Sequence, residues 1–398
     1  MKTAIVHYWL VGMRGGERVL EALCELYPDA DIYTHVYVPG AVSEAISSHK
    51  VTTTFVGRLP FASTLYKKYL PLMPLALEEL DLSGYDLVIS SESGPAKGVI
   101  AHPEAVHVCY CHSPMRYIWS LYHRYRSEAG PATRMLMPAL AHYLRSWDQL
   151  SAARVDSFVA NSQNVARRIE RCYDREAAIV YPPVDTDYFR LDPNTAREDF
   201  YLAVGELVRY KRPDLAIEAC KRLGKKLVVI GGGEMLAELR RLAGPTVEIL
   251  GPQPIDVLRS HYARAKALIF PGEEDFGIVP VEAMGSGCPV IAFSKGGVRE
   301  TVLDRLTGTF FAEQTVDDLT AAIGRFETMH FDEERIVERA LCFGKARFKA
   351  EMTKAVQDAV ERKRRSQREP VRMELSEKRS ARILKDTHVH DRPVAHVG

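Results

Sequence analysis

This 398-residue chain has almost no net charge: 53 Lys and Arg against 52 Asp and Glu leave +1. No global positive field therefore points to nucleic acid as a partner. It has no apolar run near the about 18 residues that a membrane-spanning helix needs. The opening stretch, MKTAIVHYWLVGMRGGE, has only a short apolar run with no small-residue cleavage site after it, so no export signal is expected. Disulfide patterning is missing too. Seven cysteines, an odd number at irregular spacing, are expected to be reduced thiols in the cytoplasm. Cys109, Cys111 and His112 stand too close together to share one tetrahedral metal ion, and no metal site is expected. Finally, no G-x-G-x-x-G follows the first apolar run, and no acid ends the second, which argues against a nicotinamide domain.

What is present is alternation. Short runs rich in Val and Ile, at 3–8, 31–37, 85–90, 106–111 and 156–160, alternate with helix-like stretches. After YPPVD (181–185) the pattern restarts at 200–205, 226–231, 247–250, 266–270 and 289–293. Nearly all-apolar strands between helices mean parallel sheets covered on both faces. The expected fold class is α/β, with two doubly wound Rossmann-like domains facing across a cleft. The expected domains are 1–180 and 181–350, joined near 178–198, followed by 351–398. Helices are expected at 315–327 and about 332–350. Residues 360–398 hold 11 Lys and Arg against 6 Asp and Glu, a net of +5, and from about 362 the chain has little apolar content or periodicity, so disorder is expected there.

Ligands in such sheets bind beyond the carboxyl ends of strands, so residues just after strands are the candidates. Gly12, Gly15 and Gly16 follow the first strand and lead into a helix; they are either a ligand loop or a tight turn. His112 directly follows the strand VHVCYC, with Arg116 a helical turn further on, for cleft binding or an interdomain ion pair. Arg209, Lys211 and Arg212 lie between a strand and a helix, where cations suit a diphosphate. Gly231 to Gly233 repeat the strand-then-glycine device, again as a ligand contact or a turn. The stretch FPGEEDFGIVPVEAMGSG (270–287) carries Glu273, Glu274 and Asp275 in a strand-to-helix loop and Glu282 in the following helix. Acids favoured at a helix N-terminus account for one of these four, not all. One carboxylate suits sugar hydroxyls, another the ribose diol, and the amides near Gly277 and Ile278 suit a phosphate.

The E-x7-E pair Glu274 and Glu282, with DFGIVPVEAMGSGCPVIAFSKGGVRET around it, resembles glycosyltransferase family 4, retaining enzymes of GT-B fold. GMRGGE resembles that family's acceptor-side glycine loop, CHSPMRYIW its histidine segment and LVRYKRPDLAIEA its diphosphate segment. EDFGIVPVEAM and CHSPMRYIW together resemble the mannosyltransferase-like members most. The resemblance implies that Lys211 binds the diphosphate, Glu274 the donor sugar and Glu282 the ribose. Phe276, Gly277 and Ile278 offer backbone amides, and His112 sits at the sugar. Gly15, Gly16 and Arg116 would lie on the acceptor side. Glu206 stands where the family carries an arginine, so Arg209 or Arg212 is expected to compensate, Arg209 first.

The expected activity is transfer of a hexose, mannose from GDP-mannose, onto a glycan or lipid-diphosphate-linked acceptor in cell-surface polysaccharide synthesis, without metal or other cofactor. Alternatives are a nucleotide-sugar epimerase or phosphorylase of the same fold, or a non-catalytic binder of sugar nucleotides. The segments 58–77 and 115–126 mix aromatic, aliphatic and basic residues. They suit an anionic membrane surface, at the inner face of which the protein would work, or equally helix faces packed into the domain.

Overall fold

In the computed structural model, which describes residues 1–368, the chain builds two parallel sheets. The first contains β1 (Thr3–His7), β2 (Asp31–Thr34), β3 (Val51–Thr53), β4 (Leu87–Glu92), β5 (Val106–Cys111), β6 (Ser157–Ala160) and β7 (Ala177–Ile179). Its order is β3-β2-β1-β4-β5-β6-β7. The second contains β8 (Tyr201–Val204), β9 (Leu227–Ile230), β10 (Val247–Gly251), β11 (Ala267–Phe270), β12 (Val290–Phe293) and β13 (Gly308–Phe311), in the order β10-β9-β8-β11-β12-β13. Both orders reverse direction at the first strand, as in doubly wound sheets. The two α/β domains are therefore as expected.

Side chains alternate across each sheet, and both faces are buried. In β1, Ile5 packs with Leu20, Leu87 and Val108 on one face, while Ala4 and Val6 join Val88, Met115 and Leu144 on the other. In the second sheet, Leu202, Leu268 and Val290 share one core, and Tyr201, Ala203, Ile269 and Ile291 the opposite one. β1 is in register with both neighbours, Ile5 lying beside Ile32 and Ile89.

The helix expected at 332–350 is in fact two, Glu333–Leu341 and Lys345–Arg368. They are separated where the backbone N–H of Val184, in the linker, donates to the Phe343 carbonyl at 3.0 Å. The break sends the chain back to the first domain. There Phe348, Met352, Val356 and Val360 bury against Ile5, Leu20 and Tyr110. Arg362 donates to Ser157 and Lys363 pairs with Asp156, so the ordered helix runs beyond the point where a charged tail was expected to begin. Of the basic tail, residues 369–398 lie outside the described residues.

Candidate active site

The carboxyl ends of the two sheets face one cleft with a cavity of about 430 Å³. Tyr8, Ser93, His112 and Asn161 reach it from directly behind β1, β4, β5 and β6. Lys211 comes from the turn after β8 and Glu274 from the loop after β11, so the second domain's pair flanks the point where its strand order reverses. Gly15, Gly16, Arg116, Phe276, Gly277, Ile278 and Glu282 line the same cavity.

The glycine loop is shaped by close approach. A Cβ on Gly16 would stand 2.1 Å from the Tyr8 hydroxyl, and one on Gly15 would stand 2.9 Å from the Ile278 side chain of the opposite domain. The loop is closed by the Glu17 carboxylate, which accepts from the Arg14 backbone N–H at 2.9 Å, and the helix Gly15–Leu26 begins there. This is a capping arrangement.

The loop after β11 is braced from behind. The Gly297 N–H donates to the Glu274 carbonyl at 2.9 Å. Gly296 stands at φ +81°, where a Cβ would meet that carbonyl oxygen at 2.3 Å. Held this way, the three consecutive acids divide. Glu274 turns to Lys211, Oε1 to Nζ at 2.6 Å. Glu273 and Asp275 turn to the first domain. Arg168 pairs with both, Arg116 reaches Asp275 at 3.5 Å, and the Ser162 hydroxyl donates to the Asp275 carbonyl at 2.7 Å. Arg116 also stacks on Tyr210, 5.2 Å from the ring centre, so it lines the cleft and bridges the domains at once. A second clasp forms where the backbone N–H groups of Gln163 and Asn164 donate to Glu300 at 2.8 and 3.0 Å. Burial favours a neutral Lys211, but Glu274 and Tyr210 outweigh it and hold the ammonium charged, with its pKa above the ordinary lysine value.

Past Gly277, the helix Ile278–Gly285 points its N-terminus at the cavity. Its first amides have no partner within the helix, which makes that end ready for an anion. The Phe276 ring itself is buried against Tyr181 and Phe343, so only its backbone is available to a ligand. Glu282 accepts from the Tyr262 hydroxyl at 3.2 Å. Burial pushes its carboxyl up to about 7, against the pull of that hydroxyl and of Arg18 from the first domain. His112 accepts its position from Ser91 and Asn161, the latter donating to its carbonyl at 3.0 Å. Burial, with His7 nearby, pushes its imidazole down to about 3.

Two expected residues stand elsewhere. Arg209 pairs with Glu238 at 2.9 Å and Arg212 with Asp214 at 2.9 Å, and both line a separate cavity with Arg124 and Arg241. Residues 209–211 form a single 3-10 turn, in which positions three apart eclipse. Arg209 and Arg212 therefore point one way and Lys211 another. The cations that do reach the cleft, unmarked by the sequence reading, are Arg14 and Arg18 of the first domain. Arg14 lies 3.8 Å from Glu206. Arg14 caps the helix Gly15–Leu26 and Arg18 lies in its first turn, so both follow directly on the glycine loop. Gly231 and Gly233 lie apart from the cleft, with Gly233 packed closely on Leu207.

Two doubly wound domains whose strand ends meet over one cleft, with the Lys211–Glu274 pair in it, have the GT-B architecture. Residues 13–188 match the model of Glycosyltransferase Family 4, and residues 188–341 that of Glycosyl transferases group 1. The chain belongs to glycosyltransferase family 4. It is 33% identical over 202 residues to a GDP-mannose-dependent alpha-(1-6)-phosphatidylinositol monomannoside mannosyltransferase of Mycolicibacterium smegmatis, covering 43% of this chain and 52% of that one. It is 30% identical over 201 residues to a D-inositol 3-phosphate glycosyltransferase of Mycobacteroides abscessus, covering 44% and 45%. The chain spans about half the length of these curated relatives. Among solved structures, HepE of Anabaena in complex with UDP and glucose shares the fold, with a TM-score of 0.64 at 16% identity over 90% of this chain and 99% of that one.

Proposed function

We propose that the protein transfers a hexose, mannose from GDP-mannose, with retention of configuration onto a glycan or lipid-diphosphate-linked acceptor in cell-surface polysaccharide synthesis. The observation that carries this reading is the Lys211–Glu274 pair, which shares the cleft with His112 and the N-terminus of the helix Ile278–Gly285. A nucleoside-diphosphate sugar matches this order of groups. Glu282 takes the ribose diol, Lys211 and the helix amides the diphosphate, and Glu274 and His112 the sugar hydroxyls. Arg14, across the cleft, supplies the second cation in place of Arg209.

In the reaction, the bond from the anomeric carbon to the diphosphate oxygen breaks, and the acceptor hydroxyl attacks from the same face. The departing diphosphate takes the acceptor's proton. The protein's part is electrostatic: Lys211, Arg14 and the amides of Gly277 and Ile278 stabilise negative charge as it develops on the leaving group. The clasps made by Glu273, Asp275 and Glu300 keep the domains together and limit water in the cleft.

The mannose assignment draws on the relative whose name specifies GDP-mannose. Titration with GDP, UDP and ADP tests it; GDP should bind best, and a clear preference for UDP would overturn the donor while leaving the family intact. An anionic membrane surface is the second partner in this reading. Phe61, Leu72 and Leu75 are exposed on the first domain, with Lys67 and Lys68 exposed between them. Apolar and basic groups side by side suit an interface of lipid headgroups. Among the described residues no helix is long and apolar enough to cross a membrane.

A further inference from the structure

We propose that Glu17, His7 and Ser91 hold His112 in the tautomer that carries its proton on Nε2, so that an unprotonated Nδ1 faces the cleft as a hydrogen-bond acceptor. The observation is a buried file of side chains leading away from the cleft. Ser91 Oγ lies 2.9 Å from His112 Nε2 and 3.0 Å from His7 Nδ1. His7 Nε2 lies 3.8 Å from Glu17 Oε1 and has no hydrogen-bond partner of its own. Glu17, His7 and Ser91 are all buried.

The protons in this file can be counted. The Ser91 hydroxyl has one proton to give and two imidazole nitrogens to serve. A lone pair on His7 Nε2 would face the Glu17 carboxylate oxygen where water does not reach, and like partial charges repel strongly there. A proton on Nε2 is attracted instead. Nδ1 of His7 is then the acceptor, and Ser91 donates to it. The Ser91 oxygen in turn accepts from His112 Nε2–H. That leaves Nδ1 of His112, which has no partner among the described residues, as a lone pair lining the cavity. Its low pKa keeps the ring neutral at working pH. A neutral acceptor there selects a hydroxyl donor and disfavours a phosphate oxygen. It thus holds a sugar in the cleft apart from the diphosphate. Glu17 does this while its other oxygen closes the glycine loop through Arg14, so one acid positions both the loop and the histidine. His7, Ser91 and Glu17 act through His112 and are positioning residues. The inference deepens the sugar-transfer reading and rests on it for the identity of the hydroxyl, but the tautomer stands independently.

The test reads the tautomer directly. The full chain is labelled with 15N at its histidines, and long-range proton–nitrogen correlations are recorded without ligand; a His112→Gln sample assigns the signals. His112 should show a protonated Nε2 and a bare Nδ1. In Ser91→Ala the ring should become a mixture of both tautomers. Its kcat for sugar transfer should fall about tenfold, the scale of one lost hydrogen bond, with the affinity for the nucleoside diphosphate unchanged. Ser91→Thr, which keeps the hydroxyl, should restore both. A proton on Nδ1 in the parent, or a single unchanged tautomer in Ser91→Ala, overturns the proposal. Since no substrate is present in the NMR measurement, a wrong donor or acceptor assignment cannot produce either result.

Discussion

Lowering the pH from 8 to 6 should weaken the binding of a nucleoside-diphosphate sugar about tenfold through Glu282. In the ligand-free protein, burial holds this carboxyl near 7, and the Tyr262 hydroxyl and Arg18 only partly offset it. A ribose diol donates hydrogen bonds, so it prefers the ionised carboxylate. If binding needs that form, the apparent Kd at pH 6 carries a factor of about ten for deprotonating Glu282, while at pH 8 the factor is close to one. Tenfold corresponds to about 1.4 kcal/mol. The free protein should move the other way. A carboxyl whose pKa rises on folding makes stability fall as pH increases between its unfolded value and about 7. Thermal stability without ligand should therefore decline over the window in which affinity grows. The assay is isothermal titration with an intact nucleotide-sugar, whose diphosphate has no proton to lose in this range. Glu282→Gln should flatten the pH dependence, and Glu282→Ala should cost about 1.5–3 kcal/mol of affinity, the range for a hydrogen bond to a charged group. A parent protein whose Kd is level from pH 6 to 8, or a Glu282→Ala variant that binds as the parent does, would refute the assignment of this residue to the ribose.

Lys211→Ala should lower kcat as well as raise the donor KM, because the charge it meets grows in the transition state; unchanged kcat would mean uniform binding only. Arg14→Ala should follow it in kind, whereas Arg209→Ala should change little, and the reverse ranking would return the second cation to Arg209. His112→Ala should lose affinity for the intact nucleotide-sugar while keeping that for the nucleoside diphosphate, and equal losses for both would move the histidine out of the sugar site. Removing residues 369–398, which carry six Lys and Arg against five Asp and Glu, should leave transfer to a soluble acceptor analogue intact and change liposome binding little, since the basic excess of the tail lies in Arg362 to Arg368. Removing 345–398 should instead destabilise the fold, since each of Phe348, Met352 and Val356 contributes about 1.5–3 kcal/mol of burial; a two-domain melting curve unchanged by that cut would contradict the packing.

The fold was legible because central strands of parallel sheets must be apolar on both faces, and runs such as TAIVHY and VHVCYC are. The strands that escaped notice, β3, β7 and β13, lie at sheet edges and span three or four residues. β7 is mostly exposed and β13 starts with Gly308, so neither composition nor length separates them from loops. The return of the last helix to the first domain was not legible at all. An amphipathic helix states that it has a partner, not which domain supplies it. Only the break at 342–344, paired with Val184, turns the chain back.

The candidate site divides along the same line between local and long-range information. His112, Lys211 and Glu274 each follow a strand, so the carboxyl-end rule located them one segment at a time, and Glu282 was tied to them through the helix Ile278–Gly285 that follows the last of these loops. Arg209 and Arg212 obey the same rule and still miss the cleft, because a 3-10 turn separates neighbours in sequence into opposite directions. The run Glu273, Glu274, Asp275 shows how much direction matters. Glu274 is held by its bridge to Gly296 and the chain bends at Asp275, so the second acid faces away from the other two. Glu273 and Asp275 reach Arg168 in the other domain, while Glu274 pairs with Lys211 in its own. Three acids in a row thus serve two purposes: an interdomain clasp, and a carboxylate held beside the cation of the site. The pattern of a single loop carries that division, but its meaning depends on Arg168, which lies 105 and 107 positions away in the chain from the acids it grips.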